Sequence, residues 1–284
     1  MCLLIVLSRL DVASPLVVAA NRDERLDRPA IAATVLADSE PRILGGRDEL
    51  AGGTWLAVNE HGLVAGLTNR PSPGGRDASK RSRGELPLAL ARHQDATSAV
   101  ADLATRFRAD DFNAAWLLVG DRESLYYVQL GGAGPPAVES LPPGLYVLAN
   151  DPLDGVSAKT SHVRARVEAI SGLVGGDYLA LLQPVLTDHT IPPTATPPVS
   201  DSMPEPKPEA ESESAPVTRP VEHGAACVHT DGYGTRSAAL VLVPAEGLPS
   251  MWVADGPPCR TPFVDVSALW SEPAAGQSVE QESE

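Results

Sequence analysis

The chain opens Met1-Cys2-Leu3-Leu4-Ile5-Val6-Leu7, turns through residues 10–15, and continues Leu16-Val17-Val18-Ala19-Ala20-Asn21-Arg22-Asp23-Glu24. Two short apolar runs joined by a polar loop predict a β-hairpin. A second hairpin is plainer: Thr54-Trp55-Leu56-Ala57-Val58, the turn Asn59-Glu60-His61-Gly62, then Leu63-Val64-Ala65-Gly66-Leu67-Thr68. Helical signals come next. Ser82-Arg83-Gly84-Glu85 has capping-box spacing ahead of Leu86, Leu88, Ala89 and Leu90. Residues 96–107 repeat Val100, Leu103, Ala104 and Phe107 at helical spacing, with Asp95 or Thr97 as cap.

A third β block follows at 112–119, the turn Asp121-Arg122-Glu123-Ser124, 125–130 and 145–149; helical patterns then cover about 159–170 and 177–186. Residues 192–222 are Pro, Glu, Ser, Thr and Ala with almost no large apolar side chain, which predicts a disordered insertion. Structure is expected again at 225–229, 235–243 and 251–254. Strands, helices, strands, helices and strands succeed one another without βαβ alternation. That order predicts an α+β fold in which two mainly antiparallel sheets lie between helix pairs, an αββα sandwich. The expected domain spans 1–270, with an acidic tail at 271–284.

Of 284 residues, 43% are hydrophobic, enough for a sizeable core, while only 4% are aromatic. Few stacking platforms and a formal charge of −15 argue against a nucleic-acid partner. Eight of those excess charges lie in residues 201–222 and in the tail, so the folded part is only mildly acidic. Three cysteines, Cys2, Cys227 and Cys259, make no disulfide framework and suit a reducing compartment. The first apolar run has no basic segment before it and is interrupted by Arg9 and Asp11. Neither a signal peptide nor a transmembrane segment is expected, and the expected location is cytoplasmic.

Cys2 is the most informative position. Removal of Met1 would leave a thiol and a free α-amine on one residue at the start of a buried strand. An α-amine titrates near 7.7–8.0 and can serve as general base for the adjacent thiol. The plain alternative is a small strand residue that packs. Asn21-Arg22-Asp23-Glu24 reads as a solvated turn, unless the hairpin carries Arg22 and Asp23 to Cys2, where a cation lowers a thiol's pKa and a carboxylate orients an amine. Asn69 and Asn150 each end an apolar strand and offer an amide, and Tyr233-Gly234-Thr235-Arg236-Ser237 leads Arg236 into another. Cys227-x-His229 has no second such pair and Cys259 is far along the chain, so no metal site is expected. Neither a phosphate-binding glycine loop nor a Gly-x-Ser-x-Gly elbow occurs.

Met1-Cys2, Asn21-Arg22-Asp23-Glu24 with Arg28-Pro29, Gly52-Gly53-Thr54-Trp55, Leu67-Thr68-Asn69, Ser82-Arg83-Gly84-Glu85 and Tyr233-Gly234-Thr235-Arg236 resemble, in order, the motifs of the NRDE family. Its animal members are called transport and Golgi organization protein two. The resemblance implies an N-terminal nucleophile hydrolase-like fold, similar to the choloylglycine and penicillin V acylases. It implies Cys2 as nucleophile and base, Arg22 and Asp23 holding its amine and thiol, Asn69 and Asn150 at the oxyanion, and Arg236 completing the set. The implied activity is cleavage of linear amide bonds without a cofactor. The alternative it implies is a non-catalytic carrier of haem, or a factor in acyl-CoA or lipid homeostasis. Either takes a small-molecule ligand. The chain departs from the family at Arg25, where an aromatic is common, and at Asp151-Pro152-Leu153-Asp154-Gly155, where Trp usually precedes the lysine corresponding to Lys159.

Overall fold

Both predicted hairpins are present, and each belongs to a different sheet. The computed structural model describes residues 2–72, 74–153, 155, 157–193 and 224–271. β1 (Cys2–Ser8) and β2 (Leu16–Arg25) pair antiparallel, Cys2 across from Arg22 and Ser8 across from Leu16. The chain then crosses to a second sheet and builds it as a meander: β3 (Ala30–Ala37), β4 (Ile43–Asp48), β5 (Leu56–Asn59), β6 (Val64–Asn69), β7 (Ala115–Gly120), β8 (Leu125–Leu130) and β9 (Ala137–Ser140). Helices α1 (Glu85–Leu90) and α2 (Ala96–Arg106) fall between β6 and β7. The chain returns to the first sheet with β10 (Gly144–Leu148), passes through α3 (Ala158–Glu168) and α4 (Tyr178–Leu186), and ends with β11 (Tyr233–Val243), β12 (Ser250–Ala254) and β13 (Val264–Asp265). The first sheet has the order β10-β1-β2-β11-β12-β13, antiparallel throughout.

The unbroken apolar runs of β1 and β2 follow from burial on both faces. Leu4, Val6, Leu16 and Val18 join Leu44, Val58, Trp116 and Leu118 in the core between the sheets. Their neighbours Leu3, Ile5, Leu7 and Val17 face the other way and pack with Val163, Leu182 and Leu186 of α3 and α4. A third core joins Ala57, Ala65 and Leu117 of the second sheet to Leu86, Leu90 and Leu103 of α1 and α2. The expected αββα sandwich is therefore observed.

The local expectations fare unevenly. Asn21-Arg22-Asp23-Glu24 is strand rather than solvated turn, because β11 pairs along the whole of β2 and buries Asn21, Arg22 and Asp23. β3 and β4 lack a clean periodic signal; β3 is mostly half-buried, and β4 carries Gly45-Gly46 before Arg47-Asp48. The strand at 145–149 pairs with β1 instead of extending the β7–β8 block. Ser82 forms no capping box, for Gly84 is the α1 N-cap and Glu85 engages Arg81. Asp95 caps α2 through the Ser98 amide, as expected, and a full capping box appears at Ser157 and Thr160 of α3. Residues 225–229 make bends and one isolated bridge, not a strand. The predicted insertion, apart from 192 and 193, and the predicted tail, apart from 271, lie outside the described residues. Among the described residues no helix is long and apolar enough to cross a membrane.

Candidate active site

The end of β2 distributes its polar residues by strand alternation. Arg22 emerges between the sheets. Its guanidinium stands 4.2 Å from the centroid of the Trp55 ring, 3.6 Å from Asp48 and 3.8 Å from Glu24. Trp55 can lie there because position 46 is glycine: a Cβ would fall 2.0 Å from the indole. Asp48 also accepts from Arg28 Nε at 2.7 Å. Burial pushes the Asp48 carboxyl up, but the Arg28 bond, the Ala51 amide and the charges of Arg28 and Arg22 hold it below the usual carboxylate value.

Asn21 and Asp23 emerge on the helical side. Asn21 Nδ2 donates to the carbonyls of Leu186 (2.8 Å) and Ala226 (2.9 Å). Asp23, its side chain fully buried, accepts from Thr235 Oγ1 at 2.6 Å and faces Lys159 Nζ at 3.4 Å. Thr235 Oγ1 in turn accepts from the Val228 amide, and the Tyr233 hydroxyl donates to the Asp23 carbonyl. The β11–β2 register shifts between Thr235 and Ser237, so Arg236 occupies a bulge beside Arg22 and Asp23. The Arg236 Nε is buried without a hydrogen-bond partner.

The backbone of Cys2 begins β1 directly across from Arg22. On its other flank β10 pairs with β1 from Leu148 across from Leu4 to Gly144 across from Ser8, and Asn150 follows two residues after that pairing ends. Asn150 Nδ2 donates to the Asn69 carbonyl, tying the two sheets together at this end. A cleft of about 320 Å³ opens here; Arg22, Asp23 and Asn69 line it, while Asn150 and Arg236 do not. The hairpin thus sets Arg22 across from the Cys2 backbone with Asp23 next along β2, while Asn150 lies just past the end of β10, bonded to Asn69, and Arg236 sits at the adjacent bulge. Reading the sequence by motif misses Asp48 and the ionic role of Lys159, which lie alone in unremarkable contexts. Trp55 and Thr235 sit inside quoted motifs, but nothing in those motifs says what they touch.

One wall of the cleft depends on a backbone contact. The Thr54 amide donates to the Gly84 carbonyl at 3.0 Å, and a Cβ on Gly53 would stand 2.5 Å from the Gly84 carbonyl carbon. Neither backbone can swing aside as a side chain would. Gly53→Ala is expected to cost roughly 2 kcal/mol, within the range of overpacking. A thermal midpoint equal to wild type would show that this wall yields.

The family model described as Transport and Golgi organisation 2 matches residues 1–252. The Transport and Golgi organization protein 2 homolog of Bos taurus is 29% identical over 280 residues, covering 94% of this chain and 91% of the bovine protein. The Homo sapiens homolog is 29% identical over 245 residues, covering 82% and 83%. Among solved structures, the Caenorhabditis elegans N-acylethanolamine-hydrolyzing acid amidase ortholog is similar with a TM-score of 0.50 at 12% identity, over 85% of this chain and 92% of that one. That likeness is one of fold: the sandwich is N-terminal nucleophile hydrolase-like, as the motif resemblance implied.

Proposed function

Since this chain belongs to the Transport and Golgi organisation 2 family, we propose that it cleaves a linear amide bond through Cys2. The carrying observation is that the Cys2 backbone is paired with buried Arg22 at the end of a cleft, in a fold shared with an amidase. With Met1 removed, the α-amine takes the thiol proton and Sγ attacks the carbonyl carbon. The C=O electron pair moves to oxygen, toward amides of Asn69 and Asn150. Collapse breaks the C–N bond, the α-ammonium returns the proton to the leaving nitrogen, and water then hydrolyses the thioester to a carboxylic acid and the free thiol. Arg22 favours the thiolate, the Asp23–Lys159 pair orients the α-amine, and Arg236 completes the polar set from its bulge. This chemistry calls on no cofactor.

A carrier reading draws on a separate observation. The charged residues lining the cleft are six arginines against Asp23, Glu24 and Asp48, which suits an anionic ligand such as an acyl-CoA. Haem fits less well: among the described lining residues none is His, Met, Tyr or Cys, so none offers an axial ligand, although arginine would pair with its carboxylates.

The test combines the intact mass of the amino terminus with turnover of N-acyl amides. Loss of Met1, turnover by wild type and none by Cys2→Ala are expected. Iodoacetamide should label Cys2 first below pH 7, ahead of Cys227 and Cys259. Retained Met1, or a Cys2 that labels only after denaturation, refutes the nucleophile. Saturable acyl-CoA binding that survives Cys2→Ala, without amide turnover, replaces the hydrolase by the carrier.

A further inference from the structure

Away from the cleft, the fold gathers four side chains from three separate stretches of the sequence. His189 follows α4, Cys227 and His229 lie on the segment entering β11, and Cys259 sits in the loop after β12. One ligand atom from each lies within 4.8 Å of every other. We propose that His189, Cys227, His229 and Cys259 form a tetrahedral zinc site that clamps the chain on either side of residues 194–223 to the β12 loop. The sequence argued against a metal because Cys227-x-His229 lacked a second pair. That second pair exists in space, from residues with no common spacing.

Geometry and ligand chemistry agree. Zinc takes thiolate sulfur at ~2.3 Å and imidazole nitrogen at ~2.0–2.1 Å, so tetrahedral S···N edges are about 3.5 Å. His229 Nε2 stands 3.1 Å from Cys259 Sγ and 3.7 Å from Cys227 Sγ. Two sulfurs and two imidazoles are the donor set that selects zinc over calcium or magnesium. An outer shell is also present. His189 Nδ1 donates to the Cys227 carbonyl at 3.0 Å, which fixes the tautomer and leaves Nε2 its lone pair. The Cys227 amide donates to the Asp188 carbonyl at 2.8 Å, holding the two segments of the clamp together without the metal.

A disulfide between Cys227 and Cys259 would leave His229 lodged against both sulfurs for no purpose. Metal binding uses all four groups: each thiol releases a proton, each imidazole gives a lone pair, and the resulting site is neutral. Cys227 is buried while Cys259 is half-exposed, so the metal can enter from the Cys259 side. The clamp also buttresses the cleft. Its segment accepts from Asn21 at the Ala226 carbonyl and donates from the Val228 amide to Thr235 Oγ1, which itself donates to Asp23.

The experiment uses the full chain, first assayed for bound metal, then stripped with chelator and titrated with zinc or cobalt(II). One zinc per chain is expected, with a thiolate-to-cobalt charge-transfer band and intense tetrahedral d–d bands in the cobalt form. Cys259→Ser and His229→Ala should each weaken zinc binding by more than about 100-fold, beyond the loss an outer-shell change causes. Zinc should raise the thermal midpoint of wild type and of neither variant. No stoichiometric uptake, a cobalt form without the thiolate band, or unchanged affinity in both variants overturns the proposal. So does a Cys227–Cys259 disulfide in chain whose thiols are trapped at the moment of cell lysis.

Discussion

Replacing Asn21 by leucine is expected to destabilise the fold by roughly 2–3 kcal/mol, from unpaired buried carbonyls rather than lost packing. The Asn21 amide nitrogen serves two carbonyls at once, Leu186 at the end of α4 and Ala226 ahead of β11. Each would be left dry and unpaired, at about 1–3 kcal/mol apiece. The gain from removing Asn21 Oδ1, itself buried without a partner, offsets part of this. Asn21→Asp is the sharper variant, nearly isosteric but placing carboxylate oxygens against two carbonyl oxygens. Such a carboxyl is held protonated in the folded state, so its folded value lies above its unfolded one. The native state then binds the extra proton, and stability falls as pH rises from about 4 toward 7. Urea midpoints at both ends of that range check the sign. An Asn21→Asp protein no less stable at pH 7 than at pH 4 would mean the two carbonyls find other donors.

That role was not legible in the tetrad itself. Three charged residues in four, after an apolar run, ordinarily mark where a strand gives way to solvent. What overrides the composition is β11, more than two hundred residues away, which pairs with β2 to Arg25 and turns the polar residues inward. Strands with an apolar run of their own, such as β1, β5 and β7, were readable because burial on both faces leaves the same signature wherever the partners come from. β4 was not, since Gly46 admits the Trp55 ring and Gly45 the Leu56 carbonyl, and neither signals a turn. The same limit hid the histidine–cysteine cluster. Local spacing detects metal ligands carried on one short segment, whereas these come from three loops that only the completed first sheet brings together. The candidate site was readable to the extent that it lies on the two ends of one hairpin, Cys2 and Arg22, and unreadable where Lys159 and Asp48 reach it from α3 and from the second sheet.

Arg22→Met is expected to cost about 3 kcal/mol at neutral pH and to lose part of that deficit in acid. The substitution keeps an unbranched apolar stem but ends it short of the guanidinium. It removes the cation over Trp55, worth about 0.5–2 kcal/mol, and one partner from Asp48 and Glu24 in a largely buried group. Arg28 remains 2.7 Å from Asp48, so the carboxylate is not stranded, and the loss stays below that of an orphaned buried charge. The ionic part has a definite pH dependence. Asp48 is depressed in the folded state, so its stabilisation is complete above the unfolded carboxylate value of about 3.9 and disappears as pH falls through the folded one. Below that point the Asp48 share of the Arg22 interaction is gone, and the difference between wild type and variant narrows by that share. Chemical denaturation of both proteins at steps of pH from 7 downward, as far into acid as both stay folded, separates the two contributions; a deficit that never narrows would assign Arg22 to packing alone. If Arg22 also serves Cys2 from across the strand pair, the variant must slow alkylation of Cys2 below pH 7 while leaving Cys259 unchanged. A variant that lost the stability and kept the alkylation rate would separate the structural role of this arginine from the catalytic one assigned to it.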